Sequence, residues 1–207
     1  MSNTLRLAAA FAAVAAPAAA HHPLGGETPA TFLDGLLSGV GHPMLGVDHF
    51  AFIVAAGLIA AMLGRVTLLP LFFVAASALG TLLTVSGVAL PLVELMVAGT
   101  ATLAGALALR GRAVPVAAAA ALFAVAGLFH GWAFGEAVVG AEATPVVAYL
   151  IGLAVTQWAI AVAAGLVAAR LWREAGQGAL QTRLAGAVMA GIGFAFLFET
   201  LEGLVLA

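Results

Sequence analysis

The stretch Gly41-His42-Pro43-Met44-Leu45-Gly46-Val47-Asp48-His49 runs without interruption into Phe50 to Gly64, fifteen residues that carry no charge. Two imidazoles and a carboxylate therefore stand at the mouth of a hydrophobic segment. From Val47 to Gly64 the run approaches the roughly 20 apolar residues that a hydrocarbon core of about 30 Å demands of a helix. This boundary decides the fold, because it reads as a membrane span entered through a polar mouth. On one unbroken helix His42 and His49 would share a face yet lie about 10 Å apart along the axis, too far to meet one ion. Gly41, Pro43 and Gly46 are expected to break that helix. Pro43 biases His42 away from the helical region, and the glycines let the backbone fold back so that both rings converge. Asp48 is then either a ligand or the carboxylate that orients an imidazole. The plainer alternative has His42 capping the span, with Asp48 and His49 solvated at its mouth.

Working outward, the rest of the chain has the same character. Of 207 residues 64% are hydrophobic and 8% charged, and the mean hydropathy is +1.19; soluble domains average about 45–50% apolar and about 25% charged. A water-soluble domain is excluded. Spans are expected near 47–64, 67–89, 91–109, 114–134, 145–169 and 184–205, an all-α polytopic bundle of about six transmembrane helices. Between Pro23 and Gly46, Phe32, Leu33, Leu36, Leu37 and Val40 recur at helical spacing, which predicts a short interfacial or re-entrant helix. Met1 to Ala20 carry one Arg, an apolar run and a small-residue end, the layout of a cleaved signal peptide. The domain plan is thus a signal over 1–20 and one transmembrane domain over 21–207. Cleavage after Ala20 would leave His21 and His22 at the new N-terminus, a chelating cluster or a simple polar tail.

Charge gives the direction. Six spans starting outside put Arg65, Arg110, Arg112, Arg170, Arg173 and Arg183 on the cytoplasmic side of a bacterial inner membrane, in keeping with the positive-inside rule, with both termini periplasmic. The same topology puts all five His and every acid except Glu174 outside or in the outer half of a span; Glu27, Asp34 and Glu142 read as loop residues. Seven Arg, no Lys and nine acids leave a net charge of -2, so no basic surface exists to hold nucleic acid. Zero Cys excludes disulfides and thiolate ligands. Ionisable groups inside a span cost about 2.5–3.5 kcal/mol each on insertion scales and point to function; Glu94, His130, Glu199 and Glu202 are such groups. The segment Phe129-His130-Gly131-Trp132-Ala133-Phe134-Gly135-Glu136 adds two glycines, which predict close helix packing or an irregular backbone. Trp132 and Phe134 read as members of an interfacial aromatic belt.

The segments HPMLGVDH (42–49) and FHGWAFGE (129–136), with Glu94 after Pro91, resemble the HupE/UreJ family of small membrane proteins associated with nickel supply to hydrogenase and urease, some members with cobalt. The resemblance covers nearly the whole chain after the signal. It implies that His42, Asp48, His49, His130 and Glu136 are metal residues with Glu94 a companion, and that many relatives carry a second His where this chain has Phe134.

The expected function is a secondary or facilitated inner-membrane permease for a divalent transition metal, nickel first, cobalt second and zinc possible, rather than an enzyme. Its expected partners are the metal ion and the lipid bilayer; oligomeric state stays open. His with carboxylate suits these metals, and no nucleotide-binding signature is present. Because the neutral imidazole is the ligand, binding should weaken as pH falls through about 6.5. The rival is a zinc-dependent intramembrane hydrolase using the same His/Asp cluster. A third class is a metal-sensing membrane protein, against which Glu94 and His130, deeper in the spans, weigh. The cytoplasmic half offers an ion only backbone carbonyls, Thr67, Thr102, Thr156, Gln157 and water. Small-residue faces around Gly99 to Gly105 and Gly186 to Gly193 are expected to let helices slide.

Overall fold

A computed structural model describes residues 27–172 and 180–206. The expected signal over 1–20 and the paired His21 and His22 lie outside the described residues. Within them the chain is all helical: α1 (Phe32–Leu45), α2 (Val47–Met62), α3 (Pro70–Val85), α4 (Val93–Arg110), α5 (Val116–Gly135), a 3-10 turn (Glu136–Val138), α6 (Ala143–Trp172) and α7 (Leu180–Leu206).

Three helix ends have a local reason. Thr31 starts α1 through a capping box, its hydroxyl accepting from the Asp34 N–H while the Asp34 carboxylate accepts from the Thr31 N–H, which satisfies two otherwise orphaned donors. Pro70 occupies the first turn of α3, where its missing N–H is harmless. Gly111 closes α4 in the left-handed conformation, at φ 64, which glycine adopts without steric cost.

Among the described residues four stretches are long and apolar enough to cross a membrane: Val93–Arg110, Val116–Val138, Ala143–Arg170 and Leu180–Leu206. The first two expected spans depart from that standard. α2 qualifies only together with α1, and the pair is bent by 78°. α3 has 16 residues, shorter than the run expected over 67–89, because Arg65 to Leu69 form a hydrogen-bonded turn before it. The helix expected before the first span is present as α1.

Of the three expected breakers only Gly46 interrupts the helix. The helix continues through Gly41, His42 and Pro43 to Leu45, and the chain leaves it only at Gly46, at φ -73 and ψ 99. The N–H of Gly46 still bonds the His42 carbonyl at 3.0 Å, so α1 is complete up to the turn. A Cβ on Gly46 would lie 2.7 Å from Cδ2 of His49. Close approach of that ring therefore requires glycine here.

α2 is the axis of the bundle and touches all six other helices. Eleven of its sixteen residues are buried, from His49 to Met62, as expected of a helix apolar on every side. Around it, neighbours approach at glycines. Gly127 meets Phe73 and Gly131 meets Ser77, so α3 and α5 run parallel; Gly193 meets Thr102 and Gly186 meets Leu109, so α4 and α7 run antiparallel. Small residues let backbones pack at close range where apolar lipid supplies no hydrophobic drive. One end of the bundle gathers Arg: Arg183 donates to the Leu109 carbonyl at 3.1 Å, and Arg112 lies beside Met62 and Leu63.

Candidate functional site

At the opposite end the 78° bend carries His42, on the last turn of α1, back over His49, on the first turn of α2. Their ring centroids are 6.3 Å apart and nearly perpendicular. The fold-back expected from the sequence thus occurs, though through Gly46 alone. His130, near the end of α5, meets His49 with 2.7 Å between the two Nδ1 atoms. All three rings are buried, His130 completely.

The row is anchored at both ends by hydroxyls. Nδ1 of His42 lies 2.7 Å from the Tyr149 hydroxyl of α6, and that hydroxyl donates to the Phe134 carbonyl at 2.7 Å. Nε2 of His130 lies 3.1 Å from Oγ1 of Thr100 on α4. The Thr100 hydroxyl donates back to the carbonyls of Met96 at 2.7 Å and Val97 at 3.0 Å. Five helices thereby contribute to one line of polar contacts across an apolar bundle.

Aromatic rings wall this line. Phe134 is fully buried and packs on His42 and His49 at centroid distances of 4.9 and 4.1 Å. It belongs to the cluster and not to an interfacial belt, whereas Trp132 donates to the Val88 carbonyl at 2.7 Å. Below the row, Phe52 and Phe73 lie 4.9 and 5.6 Å from the His130 ring. Phe123 closes on Phe52 at 6.0 Å.

The carboxylates sit near helix ends. Asp48 is partly buried and its Oδ1 accepts from the His49 N–H at 2.8 Å, a local bond within the first turn of α2. Glu94 is exposed in the first turn of α4, six residues or about 9 Å of helix above Thr100, and not deep in a span. Glu136 is exposed at the start of the 3-10 turn. Glu199 and Glu202 are exposed toward the end of α7. Among the described residues no three His, Asp or Glu side chains form a ready-made ion site.

Three residues escaped the sequence reading. Phe134 reads from sequence as a belt residue. Tyr149 carried a usable signal, being the only tyrosine in the chain and set within an apolar span, where a phenol needs a partner. Thr100 carried none, since a threonine in a helix ordinarily bonds its own preceding turn.

The HupE / UreJ protein family matches residues 9–196. Protein HupE of Rhizobium leguminosarum bv. viciae is 34% identical over 195 residues, which span 93% of this chain and 97% of that protein. No solved structure matches. With the family match running through both His-bearing segments and nearly all the helices, the chain belongs to the HupE/UreJ family.

Proposed function

We propose that the protein is a secondary or facilitated permease for a divalent transition-metal ion, nickel first and cobalt second, in a bacterial inner membrane. The observation that carries this reading is the row of three buried imidazoles joining α1, α2 and α5 inside an apolar bundle. Buried polar groups in such a setting are expensive and mark ion pathways. Neutral imidazole suits nickel, cobalt and zinc, whereas hard cations prefer oxygen.

Family membership supports the same reading, since the resemblance associates this family with nickel and cobalt supply for metalloenzymes. In the proposed topology α2 to α7 make six crossings, with α1 re-entering from outside, the His end periplasmic and the Arg end cytoplasmic. His21 and His22 would capture the ion first, with Glu94, Asp48 and Glu136 at the mouth and His42, His49 and His130 passing it inward. A resident catalytic zinc would need three protein donors with an open fourth position. A row in which His130 bonds His49 and the His42 ring packs beside it favours a passing ion.

The test is uptake of radioactive nickel by sealed proteoliposomes. The wild type should load nickel, and His49→Ala should not. A wild type that carries no nickel or cobalt would overturn the reading. A reporter fused after Ala207 tests the direction, because it should be active only when exported.

A further inference from the structure

The hydrogen-bond network allows one placement of protons on the neutral row. A tyrosine hydroxyl has a single hydrogen, and that of Tyr149 goes to the Phe134 carbonyl, which has none to return. The 2.7 Å contact between Tyr149 and His42 must therefore be donated by Nδ1–H of His42. In the neutral ring this leaves the lone pair on Nε2. Thr100 repeats the argument. Its hydrogen is committed to the Met96 and Val97 carbonyls, so its oxygen accepts from Nε2–H of His130 and the His130 lone pair sits on Nδ1. Two bare nitrogens 2.7 Å apart would repel, so the bond between His49 and His130 is donated by Nδ1–H of His49. Its lone pair is then on Nε2.

We infer that Tyr149 and Thr100 are positioning residues that set the tautomer of the whole row. They place the lone pairs of His42 and His49 on Nε2, for a divalent transition-metal ion, and keep that of His130 closed against His49. Tautomer control of this kind acts through the nitrogen opposite the ligand. An ion can take Nδ1 of His130 only after the His49 ring turns away, so His42 and His49 must be met first. The metal half of the inference rests on the permease reading; the tautomers do not.

Full-length protein in micelles, labelled with 15N in its histidine rings, tests it at pH 8 without metal. Long-range proton–nitrogen correlation separates protonated from bare ring nitrogens. The wild type should show Nδ1–H at His42 and His49 and Nε2–H at His130. Tyr149→Phe should mix the two forms at His42 only, and Thr100→Val should mix them at His130 and His49. Thr100→Ser, which keeps the hydroxyl, should restore the wild-type pattern. Nickel titration should then find Tyr149→Phe weakened by about 10–100-fold, the usual effect of losing such a partner. Nε2–H at His42 in the wild type, or an unchanged His42 in folded Tyr149→Phe, would overturn the inference and leave the permease reading intact. Correct tautomers in a wild type that binds no nickel would overturn the metal half together with that reading, while the proton placement would stand.

Discussion

The two ends of α2 are built from one apolar helix and do opposite things. At its start His49 bonds His130, which in turn bonds Thr100, and its ring packs beside that of His42, which bonds Tyr149. One turn further Phe52 packs on Phe73 at 4.8 Å, and from there to Met62 the buried residues are apolar or glycine. A polar row is tolerated at membrane depth because each member finds a partner, since unpaired polar groups in hydrocarbon cost several kcal/mol. Gln157 shows the other case. Its Nε2 donates to Ser77 Oγ at 3.0 Å, while its buried Oε1 has no partner among the described residues. Each ring of the candidate site has a partner at Nδ1, whereas Gln157 keeps one buried oxygen unpartnered.

The largest effect should come from breaking the row. His130→Ala and His49→Ala should each lose more nickel affinity in calorimetric titration than the about 10–100-fold typical of an orienting partner. The double variant should add little, because residues in one network are not additive. Additive losses would mean that the imidazoles act separately, and the contrast between the two ends would fail.

Removing the first ring below the row should act on stability instead. Phe52→Ala leaves a cavity beneath His130 and should destabilise by about 3–5 kcal/mol, read by denaturation in micelles, while the imidazole bonds persist.

A smaller effect distinguishes packing glycines from bystanders. Gly105 and Gly191 both lie in stretches expected to slide, yet a Cβ on Gly105 would strike the Ala190 backbone while one on Gly191 meets nothing within 4 Å. Gly105→Leu should cost about 1–3 kcal/mol by overpacking. Gly191→Leu should stay within about 0.5 kcal/mol of the wild type. Equal effects would show that α4 and α7 do not pack in this register.

The smallest effect is expected at Gln157. Exchange for Met removes one hydrogen bond and one unpaired buried oxygen. The buried Ser77 hydroxyl also loses that donor, so stability should fall by about 1 kcal/mol. Nickel affinity should not move. A marked loss of affinity would extend the site into the half that α2 otherwise keeps apolar.

Much of this was legible in the residues. Apolar length marked the helices, since hydrocarbon thickness sets a minimum that composition reveals directly. An imidazole within an apolar run is costly enough to announce itself, and so His42, His49 and His130 were recognisable. The carboxylates were harder to place, because Asp48 and Glu94 owe their positions to the first turns of α2 and α4 and not to depth in a span.

That the helix survives two of its three expected breakers was decided by tertiary contact. Pro43 and Gly41 are local helix breakers, yet α1 holds through them with Gly39 seated against the Tyr149 backbone and Gly35 against Pro145; the turn falls at Gly46, where the His49 ring needs the space of a missing Cβ. Which apolar helix became the axis was equally beyond the pattern, because every span is apolar on all sides and periodicity then singles out no face. The sequence by itself determined that this is a helical membrane protein with three imidazoles set in apolar surroundings. Only the tertiary structure decided that a phenol from α6, a threonine from α4 and a phenyl ring from α5 complete the row, because hydrogen bonds across helices depend on distances in space that spacing along the chain does not encode.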